Sequence, residues 1–475
     1  MSTQLSEHFT YSKLLRFVIP PIIMMIFTSI YSVVDGLFVS NYVGKTALAA
    51  INLILPFIMA ISALGFMIGT GGSAIVAKTL GEGNKKKANE YFSLLVYVTI
   101  IFGILLAIIS FFLIPPIAKA LGATGELLNN CILYGRLSLI SITAFMLQNV
   151  FQSFFVTAEK QKLGLGVIIA AGVTNIVLDY IFVALLGFGL TGAAIATICG
   201  EFIGGLFPIL YFARPNSSQL RLGKTHFEGR ILLKTCANGS SELMTNLSSS
   251  IVNSLYNIQL MNFAGENGVA AYGAIMYVNF IFMSIFFGYS IGSAPITSFH
   301  YGAKNHRELK SLFKKSLTFI GVSGIVLVVL AQLSASTLAW LFVGYDSDLF
   351  EMALAGFRIY CLVYLINGFN IFGSSFFTAL NNGLVSAAIS FLRTLLFQIV
   401  SVLILPVVFG IAGIWSAVNV AEVLTLCVTI FFFVGQRKLC LSFMAYHLLT
   451  LCVMNVKIFI TISVFRNYIR SYYEI

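Results

Sequence analysis

The sequence predicts an all-α polytopic membrane protein: twelve transmembrane helices in two parallel six-helix repeats around a central cleft. Three observations carry this. Of 475 residues, 59% are hydrophobic and 9% charged, against roughly 25% charged in an ordinary soluble domain. Mean hydropathy is +0.95 over the whole chain, more than one anchor could supply, because a single span uses only about 20 residues. The chain also matches itself at one constant offset. The 40 glycines and nine prolines, with no short alternating strand segments, suit closely packed helices rather than an outer-membrane barrel.

Apolar runs punctuated by Gly, Pro and charge place the spans near 14–39, 46–77, 92–114, 131–156, 164–187, 190–213, 232–261, 268–300, 315–342, 354–379, 384–408 and 411–435. The polar opening MSTQLSEHFTYSKLLRF runs into the first span without a small-residue cleavage site, so that span reads as retained. Twenty Lys and Arg, from Lys13 to Lys438, fall at the N-terminus and in the segments after even-numbered spans. Four, namely Lys45, Lys119, Arg136 and Arg358, fall on the other side. The positive-inside rule therefore places both ends of the twelve-helix unit in the cytoplasm. The lobes are 1–213 and 231–438, joined by a basic cytoplasmic linker at 214–230. The tail 439–475 is apolar but interrupted by His447 and Lys457, and fits either a further span or an interfacial helix.

These patterns exclude several classes. The net charge of +11 is scattered between apolar stretches rather than gathered on a polar surface, so no nucleic-acid partner is expected. The seven cysteines show no CxxC, and neither a disulfide framework nor a zinc site is indicated. The five histidines are dispersed, without HExxH or GxSxG, so the chain does not read as an enzyme.

The internal repeat is explicit. GFMIGTGGSAIVAKTLGEGNKKKANEYF from Gly65 parallels GYSIGSAPITSFHYGAKNHRELKSLF from Gly288, with a two-residue gap. NVFQSFFVTAEK from Asn149 parallels NIFGSSFFTALN from Asn370 at an offset of 221, which also superposes Gly44 on Gly265, Gly189 on Gly410, Gly192 on Gly413 and Glu201 on Glu422. Six helices is an even number, so both halves enter the membrane from the same side. Two lobes about a midplane site is the architecture of alternating access; a duplicated scaffold is the plainer alternative.

Ionisable groups at membrane depth favour transport, since each is costly unless paired or wetted. They are Asp35, Asp179, Glu201, Glu242, Arg393 and Glu422. Met24, Thr28 and Tyr31 precede Asp35 on one helical face, which is expected to look into a cavity and line the substrate site. Asn175 and Asp179 are four apart and stacked, and Thr197 follows after a short connection. A carboxylate pair with an amide and a hydroxyl offers oxygen ligands for a small cation, or traps a shared proton. A purely architectural network is the alternative, but the offset of 221 pairs Asp35, Asn175, Asp179 and Thr197 with Tyr256, Leu396, Val400 and Val418, and that asymmetry favours function. Glu201 and Glu422 are placed near the cytoplasmic side as a structural or gating pair, and Glu242 opens a polar face suited to a cationic substrate. Phe145, Gln148, Asn149 and Gln152 share a face of span 4 and, with Met24, Met25 and Met59, form either a substrate lining or ordinary packing.

The opening IPPIIMMIFTSIYSVVDGLFV, the GTGGSAIVAKTLGEGN segment and its counterpart SFHYGAKN resemble the multidrug and toxic compound extrusion (MATE) family of bacterial antiporters over about residues 10–438. The resemblance is to the branch with its ion site in the N-terminal lobe. It implies that Asp35, Asn175, Asp179 and Thr197 bind the coupling proton or sodium ion, and that Pro20 permits a bend in span 1. It further implies export of cationic amphipathic compounds from the cytoplasmic (inner) membrane, by a chain working as a monomer without other cofactors. The lipid-linked oligosaccharide flippases of the same superfamily are the alternative. Their pyrophosphate cargo calls for several basic groups in the cleft, and Arg393 is the one such residue placed well away from the ends of a span. A channel is disfavoured because no filter-like segment is repeated.

Overall fold

The structure, a computed structural model, describes residues 4–435. The tail from 439 onward lies outside the described residues. The first half comprises α1 (Tyr11–Phe38), α2 (Lys45–Gly81), α3 (Lys85–Ala120), α4 (Gly125–Thr157), α5 (Gln161–Asp179) and α6 (Gly189–Ala213). The second comprises α7 (Gly229–Gly302), α8 (His306–Val343), α9 (Ser347–Tyr360), α10 (Asn367–Ala379), α11 (Gly383–Phe391) and α12 (Phe397–Gly435). Polar side chains fix several starts. Thr10, Asn84 and Asp346 accept from the backbone N–H groups of Lys13, Lys87 and Leu349, satisfying donors that a helix start leaves bare.

The spans emerge from these helices with two glycine breaks. α7 runs 74 residues but turns at Gly265 (φ 62°, ψ −153°), and α12 turns at Gly410 (φ 56°, ψ −140°). Only glycine occupies that region without strain, so each position separates two spans. Their counterparts at the offset of 221, Gly44 (φ 111°) and Gly189 (φ 57°), also have positive φ and begin α2 and α6. The repeated glycines thus mark two helix-break positions, each used in both halves.

The tenth span, predicted as one run over 354–379, is bent by 40° between α9 with its following 3₁₀ turn (Cys361–Leu365) and α10. Side chains from elsewhere take carbonyls near the end of α9: Gln332 donates to Arg358 (2.9 Å) and Asn419 to Ile359 (2.9 Å). These carbonyls lie where α9 gives way to the 3₁₀ turn, about two turns before the bend. Over Pro20 and Pro21, by contrast, α1 remains continuous.

The described chain divides into two compact units that cut across the repeats. One holds Met1–Ser250, Phe287–Asn305 and Ser375–Ser390; the other holds Ile251–Phe286, His306–Ser374 and the chain from Phe391. In the first unit, Phe92, Phe151, Phe154 and Phe212 interlock with centroids 4.9–6.4 Å apart, close to the end that carries the basic loops. The predicted linker is non-helical up to Glu228 and is tied along α3: Arg221 N–H donates to Asn89 (2.6 Å), Gly223 N–H to Ser93 (3.0 Å) and Thr225 Oγ1 to the Glu90 carbonyl (2.8 Å).

The glycine-rich repeat segments close this same end. A Cβ on Gly71 would strike the Thr235 carbonyl, and one on Gly239 the Met67 carbonyl. Gly81 and Gly302 contact each other's helices reciprocally, against the carbonyls of Phe299 and Lys78. Asn238 ties the seam by donating to the Thr378 carbonyl at 2.9 Å and to the Gly71 carbonyl at 3.4 Å. Small residues allow such close backbone approach between helices in a bilayer.

Candidate functional site

All four predicted ion-site residues lie in the first unit. Asp35 stands near the end of α1, and Asp179 is the last residue of α5; each is followed by a π-helical turn, Val39–Val43 and Tyr180–Leu185. Such turns widen the helix by one residue and recur at functional positions. α1 and α5 approach closely because Gly172 has no side chain: a Cβ there would sit 2.6 Å from Phe27 and 2.8 Å from Tyr31. Gly200 plays the same part between α6 and α5, where a Cβ would lie 2.9 Å from the Ala171 carbonyl oxygen and 3.3 Å from Asn175.

The polar groups meet where these three helices converge. The carboxyls of Asp35 and Asp179 lie close enough for their charges to interact. Asp179 is 0% and Asn175 4% exposed. Asn175 Nδ2 donates to Thr197 Oγ1 at 3.5 Å, and Thr197 Oγ1 donates to the Ala193 carbonyl at 3.1 Å. Thr197 has therefore committed its proton and presents only lone pairs. Four buried oxygens, Asp35 Oδ1, both of Asp179 and Asn175 Oδ1, receive no hydrogen bond from any other described donor. Two carboxylates in contact repel unless a proton or cation lies between them. Buried acceptors without donors are costly, so this arrangement of oxygens has the chemistry to take up a proton or a small cation.

Gly204 makes room for Gln148, whose side-chain amide occupies the space a Cβ would need. Glu201 lies midway along α6, four residues beyond Thr197, so the expectation that it sits towards the cytoplasmic side is corrected to mid-helix. Of the proposed lining, Met24, Gln148, Asn149 and Gln152 are buried, whereas Met25, Thr28, Tyr31, Met59, Phe145 and Glu242 are half-buried. The span 4 amides are thus packed between helices in this conformation.

The second unit treats its equivalent residues differently. Glu422, the counterpart of Glu201, accepts from Asn370 Nδ2 (2.7 Å) and lies 3.8 Å from Arg393 Nε. Asn370 Oδ1 accepts from Thr429 (3.0 Å). All four side chains are buried. Arg393 occupies the position that Gly172 holds in the first half at the offset of 221, so one half neutralises its glutamate internally while the other fills the place with the Tyr31 and Phe27 rings.

A model of one protein family, MatE, matches residues 20–181 and again residues 243–404. The chain belongs to the MatE family. The two MatE segments begin 223 residues apart, in agreement with the repeat read from the sequence and its two-residue gap. Among MatE-like relatives, the multidrug export protein MepA of Staphylococcus haemolyticus (strain JCSC1435) is 23% identical over 432 residues, covering 90% of this chain and 94% of MepA. The probable multidrug resistance protein YoeA of Bacillus subtilis (strain 168) is 22% identical over 351 residues, covering 70% and 74%. A solved outward-facing structure of a multidrug resistance MATE family transporter of the MOP superfamily matches with a TM-score of 0.86 at 24% identity, covering 92% of this chain and 97% of that one. The MatE fold, all-α and built of two repeats, is that of this chain.

Proposed function

We propose that this chain is a secondary active exporter of cationic amphipathic compounds, driven by inward movement of protons or sodium ions. The observation that carries the reading is the cluster of Asp35, Asn175, Asp179 and Thr197, in which four buried carboxylate and amide oxygens receive no hydrogen bond from a described donor. Binding a proton or monovalent cation between the carboxylates removes charge from three converging helices. It thereby favours a different arrangement of α1, for which Pro20 supplies a missing helix hydrogen bond and a weak point. The names of MepA and YoeA support a multidrug cargo. Acidic groups at depth, including Glu201 and Glu242, favour cations over anions.

Alternating access supplies the cycle. In it, the glycine seam joining α2, α7 and the α10–α11 turn is the closed gate at the basic-loop end, and parting of that seam admits substrate. The basic loops support a cytoplasmic location for this end and for the N-terminus in a bacterial cell. The test is dye efflux from vesicles with a pH gradient and a sodium gradient imposed separately. Efflux driven by either gradient supports the reading. Efflux driven by neither, with transport of anionic lipid-linked sugars instead, would replace it with the flippase reading.

A further inference from the structure

On the first unit, α3 and α4 enclose between them an open cavity of about 690 Å³. Its walls are apolar and outward-facing, with Ile108 56%, Phe112 71% and Ile140 59% exposed. In a membrane protein such a surface faces lipid tails. One residue does not suit that solvent. Arg136 lines the cavity eleven residues into α4, roughly 16 Å from its start at the usual helical rise. The guanidinium carbon lies 4.4 Å from the centroid of the Phe111 ring, and Nε is buried with no acceptor. The ring face offsets part of the charge, but a guanidinium presents a planar fork of N–H donors made for a carboxylate or phosphate. No Asp or Glu occurs in α3 beyond Glu90 or in α4 beyond Glu126. Lys119 and Glu126 stand at the connecting loop and are not among the lining residues.

The missing partner must therefore be an anion that arrives with an apolar body. A cationic export substrate is repelled, and free phosphate leaves the groove unused. We propose that the α3–α4 crevice is a binding site for an anionic phospholipid, in the leaflet away from the basic loops. Its phosphate sits in the Arg136 fork, its acyl chain lies along Ile108, Phe112 and Ile140, and Asn129, seven residues before Arg136 and so on the same face, meets the headgroup. Gly135 firms the floor of the crevice, because a Cβ there would lie 2.8 Å from Ile114 of α3. The inference requires only that the chain spans a membrane, not that it exports drugs.

The test is native mass spectrometry of the full-length protein with palmitoyl-oleoyl phosphatidylglycerol and the matching phosphatidylcholine at equal concentration. Wild type should retain the anionic lipid about tenfold better, the equivalent of one charge-assisted contact of ~1.4 kcal/mol. Arg136→Gln should bring the ratio to about one, Arg136→Lys should restore part of it, and Ile140→Trp, which fills the groove, should lower retention of both lipids. Should Arg136→Gln fail to fold, wild type against Arg136→Lys and Ile140→Trp still decides. Equal retention by wild type, an undiminished preference in Arg136→Gln, or displacement of the lipid by inorganic phosphate would each overturn the proposal.

Discussion

Replacing Gly81 with valine would drive a branched side chain into the backbone of α7. The first added carbon would strike the Phe299 carbonyl oxygen and lie 2.9 Å from its carbon and 3.0 Å from the Ala303 nitrogen, all main-chain atoms that cannot rotate away. Gly302 makes the reciprocal contact against the Lys78 carbonyl, so relief by sliding one helix past the other is blocked from both sides. Overpacking of this kind costs about 1–3 kcal/mol. If the seam opens during transport, that cost falls only on the closed arrangement and shifts the equilibrium by roughly 5- to 150-fold towards opening. Ala77, fully buried one turn earlier, is the reporter position. As a single cysteine in a cysteine-free background, Ala77→Cys should react with an impermeant maleimide from the basic-loop side at least several-fold faster when Gly81→Val is present, and efflux should fall. Unchanged labelling, with the loss appearing only as a lower melting temperature, would show that the seam is static architecture and refute its role as a gate.

Other predictions follow from the same geometry. Arg393→Leu strands Glu422 in the second unit's core and should destabilise the protein by about 3–5 kcal/mol, whereas Arg393→Leu with Glu422→Leu should recover most of the loss; equal melting of the single variant and wild type would contradict the pairing. Asn175→Ala and Thr197→Ala each remove one neutral oxygen ligand. Each should raise the proton or sodium concentration giving half-maximal efflux by about tenfold, for a net contact near 1–1.5 kcal/mol. Cysteines placed at 85–87, 214–234 or 304–315 should escape labelling from outside intact cells; labelling of any one would reverse the orientation.

Much of this architecture is legible in the sequence because membrane insertion imposes it locally. The breaks at Gly265 and Gly410 were expected as gaps between spans, and their pairing with Gly44 and Gly189 follows from the repeat. The polar cluster was also legible, since Asn175 and Asp179 stack on one helical face and carboxylates are rare at that depth. What the sequence concealed depends on backbone detail and distant contacts. The π-helical turns after Asp35 and Asp179 leave no compositional mark. The end of α9 is held by Gln332 and Asn419, side chains 26 and 60 residues from the carbonyls they take. Arg393 read as an isolated charge because its partner, Glu422, is a helix away. The role of Gly172 appears only once Tyr31 is seen against it.

The central claim is that Asp35 and Asp179 hold the coupling ion between them, and ion flux in proteoliposomes tests it most directly. Drug-induced proton and sodium fluxes should be recorded for wild type, Asp35→Asn, Asp179→Asn and the repeat-equivalent controls Tyr256→Phe and Val400→Thr, each verified as folded and inserted. The account predicts that both aspartate variants lose drug-coupled flux while both controls retain it, because only the first-half cluster lacks an internal positive charge. Wild-type flux in either aspartate variant would contradict it and move the coupling site elsewhere, with Glu201 and Glu242 the next residues to replace.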